Sequence, residues 1–212
     1  SATATQRNSF SMGDGADATA VESVAIGSSA STSGDGNSVA IGRSAAASGW
    51  YSNAFGFDAH ATGGGALAIG KGTSAGTDSF AAMIDSTSTS YGASGTNSVA
   101  IGRNAKADGG YAFAAGQNSE ASGNYSVAIG RNADATALYA SALGGYLGQA
   151  TASYSTTLGG RSNTADASYS VASGYGADVN GISGKIVHAP TLWSSAGETQ
   201  CGTLVLISTT SD

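Results

Sequence analysis

Ser98-Val99-Ala100-Ile101-Gly102 returns unchanged at Ser23, Ser38 and Ser126. Degenerate forms begin at Ser9, Ser52, Ala66, Ser79, Ala112, Ala140, Ser155 and Ser170. This makes twelve copies, spaced by 13 to 15 residues except for one 19-residue step after Ser79. Self-similarity at so short a period marks a repeat architecture. Within the phrase the side chains alternate, with Val99 and Ile101 on one face and Ser98 and Ala100 on the other, which is the period of a strand. The following Asn104-Ala105-Lys106-Ala107-Asp108 stretch also places Ala at every second position, and Gly109-Gly110 supplies a turn.

Each unit of about fourteen residues is therefore expected to form one coil of strand, turn, strand and turn. Coils stacked at about 4.8 Å, the spacing of hydrogen-bonded strands, would build an all-β rod about 55 to 60 Å long. Two short strands enclose little volume. Ala100 and its equivalents are expected to point inward, and the larger side chains outward. Val24, Ile26, Val39, Ile41, Leu67, Ile69, Val99, Ile101, Val127 and Ile129 then form an apolar stripe along the rod. Such a stripe exceeds what a soluble monomer exposes and predicts self-association along the axis.

Composition agrees with an elongated form. Of the 212 residues, 41% are hydrophobic, but only 8% are aromatic and 10% charged, so bulk for a conventional globular core is lacking. The 33 glycines do not signal disorder, because Val and Ile recur periodically. A net charge of −6 argues against nucleic acid as a partner. The single cysteine, Cys201, allows no intrachain disulfide, and no apolar run reaches transmembrane length.

Three segments are expected. Residues 1–8 read as a lead from an upstream region and residues 9–184 as the repeat. Residues 185–212 read as a non-repeat β segment, the start of a further C-terminal domain, with β-rich runs at 185–188 and 203–207. The long unit after Ser79 carries Asp85-Ser86-Thr87-Ser88-Thr89-Ser90-Tyr91, an insertion of the kind that repeat proteins place on a surface, frequently a binding one.

Motifs for chemistry are weak. Gly65 to Lys71 has the letters of a phosphate-binding loop, but Gly72 replaces the Ser or Thr and no helix is expected to follow. Gly13 to Ala18 resembles a dinucleotide fingerprint without its βαβ context. His60 and His188 have no spaced nucleophile or acid partner. Scattered Asp residues lack a calcium-roll period, so no metal, cofactor or catalytic site is expected.

Two rows stand out instead. Arg43, Lys71, Arg103 and Arg131 each follow a phrase-ending glycine. Tyr51, Tyr111, Tyr125, Tyr139, Tyr154 and Tyr169 each precede a phrase. Tyrosines stacked rung upon rung either serve structure or offer a flat platform to sugars. The candidate receptor or glycan contacts are Tyr91, Trp50, Tyr51, Tyr111, Tyr125 and Tyr139.

The phrase followed by Arg103-Asn104-Ala105-Lys106-Ala107-Asp108-Gly109 resembles the head repeats of YadA-like trimeric autotransporter adhesins. That resemblance, over about residues 9–184, implies a left-handed parallel β-roll in an intertwined homotrimer, its apolar stripes meeting at the three-fold axis. Gly181 to Pro190, with Gly202 to Leu206 and Thr209 to Asp212, is similar instead to the join between such repeats and a C-terminal knob in bacteriophage tail fibres. The function expected is a non-enzymatic tail-fibre shaft or head on the virion. It would present a receptor-binding surface to a host glycan or envelope protein, without inserting in a membrane. A bacterial surface adhesin head is the alternative; a passive spacer or a polysaccharide-degrading tailspike fits less well, since no paired carboxylates are spaced for glycoside cleavage.

Overall fold

The computed structural model describes residues 1–83, 91–190 and 201–203. The chain winds as a parallel β-solenoid in which each coil gives one strand to each of two sheets, of 12 and 14 strands. The phrase forms the longer sheet. Val99–Ile101 pairs in parallel with Phe113–Ala115, which pairs with Val127–Arg131 in the same register. The second half of each coil forms the other sheet, with strands of only two residues, such as Lys106–Ala107, Glu120–Ala121 and Asp134–Ala135. These are shorter than the sequence alternation implies, because glycine or αL turns close on both sides.

Alanine fills the interior as expected. Ala100, Ala105, Ala107, Ala112, Ala114, Ala121 and Ala128 are all buried, in one cluster that runs from Ala81 to Ala150. Serines that open the phrase after the first coil are buried too, and in Ser23, Ser52, Ser79, Ser98 and Ser170 the hydroxyl closes the preceding turn. Ser98 Oγ donates to the Gly95 carbonyl at 2.7 Å, and Ser52 Oγ to that of Gly49 at 2.7 Å. A small hydroxylated residue suits this place because it fits the narrow interior and satisfies a carbonyl that water cannot reach. Gly102 illustrates the tightness of stacking. Its φ is +120°, and a Cβ there would stand 2.6 Å from the Gly116 carbonyl oxygen.

The coils lengthen after Val127. Paired glycines at Gly144-Gly145 and Gly159-Gly160 accompany the long strands Ser141–Tyr146 and Thr156–Arg161, with register shifts between Ile129 and Arg131 and between Leu158 and Arg161. Parallel pairing also runs beyond the recognisable phrases at both ends. Thr3–Ala4 pairs with Asp17–Ala18, and Ile186–Ala189 continues the longer sheet on Val171 to Gly174. There Val179 and Val187 replace alanine in the core, and Cys201–Thr203 turns back antiparallel on the last parallel strand. Residues 84–90 of the insertion, and most of the 203–207 run, lie outside the described residues.

Candidate functional site

Three lengthwise rows of side chains distinguish the outer surface. The first is the apolar stripe on the longer sheet. Val24, Ile26, Val39, Leu67, Val99 and Val127 are half-buried, while Ile41, Ile69, Ile101 and Ile129 are about 40% exposed, a high value for isoleucine. Phe10, Met12, Phe55 and Leu158 continue the stripe in register. Where Ala82 interrupts it, a depression of about 440 Å³ opens between Ile69 and Ile101, floored by Met83.

The second row is tyrosine. Tyr111, Tyr125, Tyr139, Tyr154 and Tyr169 stack in sequence at centroid distances of 4.9 to 5.0 Å with planes within 17° of parallel. Each has a φ between 57° and 61°, the left-handed region that bulky side chains rarely occupy. The same turn position is held by Asn8, Asn37 and Asn97 in other coils, at φ of 55° to 56°. Because each ring covers the face of the next, the row offers mainly ring edges to solvent, which accords with the structural one of its two readings. Open faces remain only at its ends. Tyr51 lies outside this stack and meets Trp50 at 4.4 Å with a 34° tilt; both are about half exposed. Tyr91 is partly buried and packs against the alanine core. The six candidate contacts thus fall at three separate places.

The third row follows the phrase-ending glycines. Arg43, Phe57 and Lys71 occupy successive coils, with the Arg43 guanidinium 4.4 Å and the Lys71 ammonium 6.0 Å from the Phe57 ring centre. Further along, Arg103, Gln117, Arg131, Tyr146, Arg161 and Tyr175 form an unbroken backbone series. The N–H groups of Asn118, Asn132, Leu147, Ser162 and Gly176 donate in turn to the first five carbonyls. Arg131 lies 4.3 Å from the Tyr146 ring centre, and Arg161 lies 5.6 Å from that of Tyr146 and 5.4 Å from that of Tyr175. Sequence reasoning found four of these cations but missed Arg161 and the interleaved aromatics. A second glycine displaces Tyr146 and Arg161 by one position, and the paired glycines are the signal that would have found them, whereas Phe57 and Tyr175 follow their phrase-ending glycines directly, as the four cations do.

Polar pairs decorate the shorter sheet. Lys106 sits 2.8 Å from Asp108 and 3.2 Å from Glu120, and its hydrogen bond to Asp108 is the main reason its pKa is raised. One rung on, burial first and the Glu120 charge second push the Asp134 carboxyl above the usual carboxylate range. His60 Nε2 pairs with Asp58 at 3.1 Å, and His188 Nδ1 with the Ser173 hydroxyl at 3.2 Å. Among the described residues, no three His, Cys, Asp or Glu side chains converge as a metal site would require.

Small coils, an alanine interior and parallel rungs define a fibre-type β-solenoid whose described surface is organised in lengthwise rows. The YadA head domain repeat matches residues 18–45, 36–52, 47–73, 93–119 and 121–146, just over half of the chain. The chain belongs to that family, whose repeats build surface-displayed, adhesin-like fibres. No curated protein matches it.

Proposed function

We propose that this chain is the shaft and head segment of a trimeric bacteriophage tail fibre, which holds a receptor-binding surface against the host envelope. The exposed stripe of Val, Ile, Leu and Phe carries this reading. Covering a side chain that is already half-buried contributes about 1 kcal/mol, so the ten stripe residues supply roughly 10 kcal/mol per chain. That is comparable to what association costs. Three parallel copies bury the stripe on a common axis, in keeping with the family, and the similarity of Gly181 to Pro190, Gly202 to Leu206 and Thr209 to Asp212 to fibre-knob junctions supports the phage setting. Repeated weak contacts on three chains then give avidity. Surface glycan is the preferred ligand, met by the tyrosine row, by Trp50 with Tyr51, and by the insertion that ends at Tyr91.

Native mass spectrometry of the chain should give three copies, and Ile101→Asp should dissociate them by placing carboxylates on the axis. A folded, soluble monomer at micromolar concentration refutes the trimer. The second reading, a bacterial surface adhesin head, is favoured by the family match itself. A membrane-anchor barrel encoded downstream would establish it, and a virion-attachment domain upstream would establish the fibre.

A further inference from the structure

The chain has eight Lys and Arg and a net charge of −6, yet five of the eight cations, Arg43, Lys71, Arg103, Arg131 and Arg161, fall in the single row that follows the phrase-ending glycines. They also fall on alternate coils. The register Ile41, Phe55, Ile69, Ala82, Ile101, Ala115, Ile129, Leu143, Leu158 sets two coils between each cation and the next, including the step from Lys71 to Arg103. Two coils span about 10 Å. Between the cations stand Phe57, Gln117 and Tyr146, with Tyr175 beyond the last; the residue between Lys71 and Arg103 lies outside the described ones.

The three cations off this row are engaged elsewhere. Arg7 meets Glu22, Lys106 meets Asp108 and Glu120, and Lys185 donates to the Val179 carbonyl. By contrast, among the described residues Arg43, Lys71, Arg131 and Arg161 have no carboxylate within ion-pair distance and lie over ring faces. An aromatic ring holds a guanidinium in place without neutralising it. Those four positions therefore hold positive charge in place along an acidic rod.

We infer that this row is a binding strip for a linear acidic polysaccharide that carries one anionic group per disaccharide. A two-coil step is close to the length of one disaccharide in an extended hexopyranose chain, so successive anions meet successive cations along the rod axis. The intervening ring edges and the Gln117 amide face the neutral sugars. Duplex DNA presents a phosphate charge about every 1.7 Å of its axis, far denser than this strip, and the rest of the chain repels it. The strip rests on the proposed role in surface attachment and gives that role a ligand class. It stands apart from the tyrosine row.

The test is calorimetric titration of the whole chain with a hyaluronan decasaccharide, which has one carboxylate per disaccharide, against a neutral chitin oligosaccharide and duplex DNA. Hyaluronan should bind, more weakly as salt rises; the chitin oligosaccharide should not bind, and DNA should bind less tightly than hyaluronan. The combined variant Arg43→Gln, Arg131→Gln, Arg161→Gln should lose about tenfold or more, at roughly two- to threefold per exposed ion pair. Arg7→Gln, Lys106→Gln, Lys185→Gln makes the same change in net charge off the row and should stay within about twofold of the parent. Equal loss in both variants, no binding by the parent, or tighter binding of DNA overturns the proposal. So does a changed assembly state in the first variant, which would place the row between copies. A parent that ignores hyaluronan yet forms trimers and adsorbs to host cells refutes the strip alone, whereas a monomeric parent refutes the fibre.

Discussion

Tyr139→Asn sets backbone conformation against ring stacking at one residue. Tyr139 stacks on Tyr125 and on Tyr154 at 5.0 Å each, and two favourable aromatic contacts contribute about 1 to 3 kcal/mol together. Its φ of 57° costs an ordinary side chain about 1 to 2 kcal/mol, of which asparagine recovers part by bonding locally. Asparagine is also a native occupant of this turn, at Asn8, Asn37 and Asn97. Taking about half of the conformational cost as recovered, the net loss is roughly 0.5 to 2 kcal/mol per chain. Tyr111→Asn, at the end of the row, breaks one stack and gains the same relief, so it should be nearly neutral. Denaturant unfolding at unchanged m-value measures both. If Tyr139→Asn is as stable as the parent, or the two variants lose equally, stacking does not hold these rings in their left-handed turns. Tyr139→Phe serves recognition instead, because it keeps the stack and removes only the hydroxyl.

Ala114→Leu should lower the unfolding midpoint sharply, since Ala114 is fully buried between Ala100 and Ala128 and overpacking costs about 1 to 3 kcal/mol even in roomier cores; Phe113→Leu, on the outer face of the same strand, should be mild in the same melt. Asp134→Asn should stabilise the fold at pH 7. With its pKa raised in the folded state, ionised Asp134 costs stability above that folded pKa, and the cost vanishes below the unfolded value of about 3.9, so the advantage of Asn over Asp should shrink to nothing as pH falls through the carboxylate range.

The sequence made the coil legible because its information is redundant. Alternation in the phrase recurs along the chain, so Ala100 inside and Ile101 outside are legible in the residues alone. What escaped was geometry that no repeat letter encodes. The second strand of each coil shrank to two residues because the turns on either side take the rest. Tyr111 to Tyr169 could be placed in one row, but not their ring planes, which depend on a left-handed backbone at each tyrosine. Thr3–Ala4 and Ile186–Ala189 join the sheets without the phrase, since backbone pairing needs only an extended partner at the rim. A single chain also carries no record of its copies; the stripe implies a cover without counting the chains that provide it.

The rows obey one rule, which follows from stacking every coil position at about 4.8 Å. Side chains that attract their own kind occupy consecutive rungs, as Tyr111 to Tyr169 do and as Asn104, Asn118 and Asn132 do through amide hydrogen bonds of 3.1 Å. Like charges cannot. Two unit charges on adjacent rungs repel by about 0.9 kcal/mol even at the dielectric of water, and on alternate rungs by about 0.4 before salt screens them further. The chain relieves this in two ways. Opposite signs meet at Lys106 and Glu120, while the arginine row interposes a ring or an amide at each described rung between cations. Among the described residues Glu120 beside Asp134 is the exception, and there the pKa of the Asp134 carboxyl rises. A spacing imposed by self-repulsion is also the one that suits a ligand with charges on every second unit. In a solenoid, the condition for tolerating a charged row and the condition for recognising a regular acidic polymer are met by the same alternation.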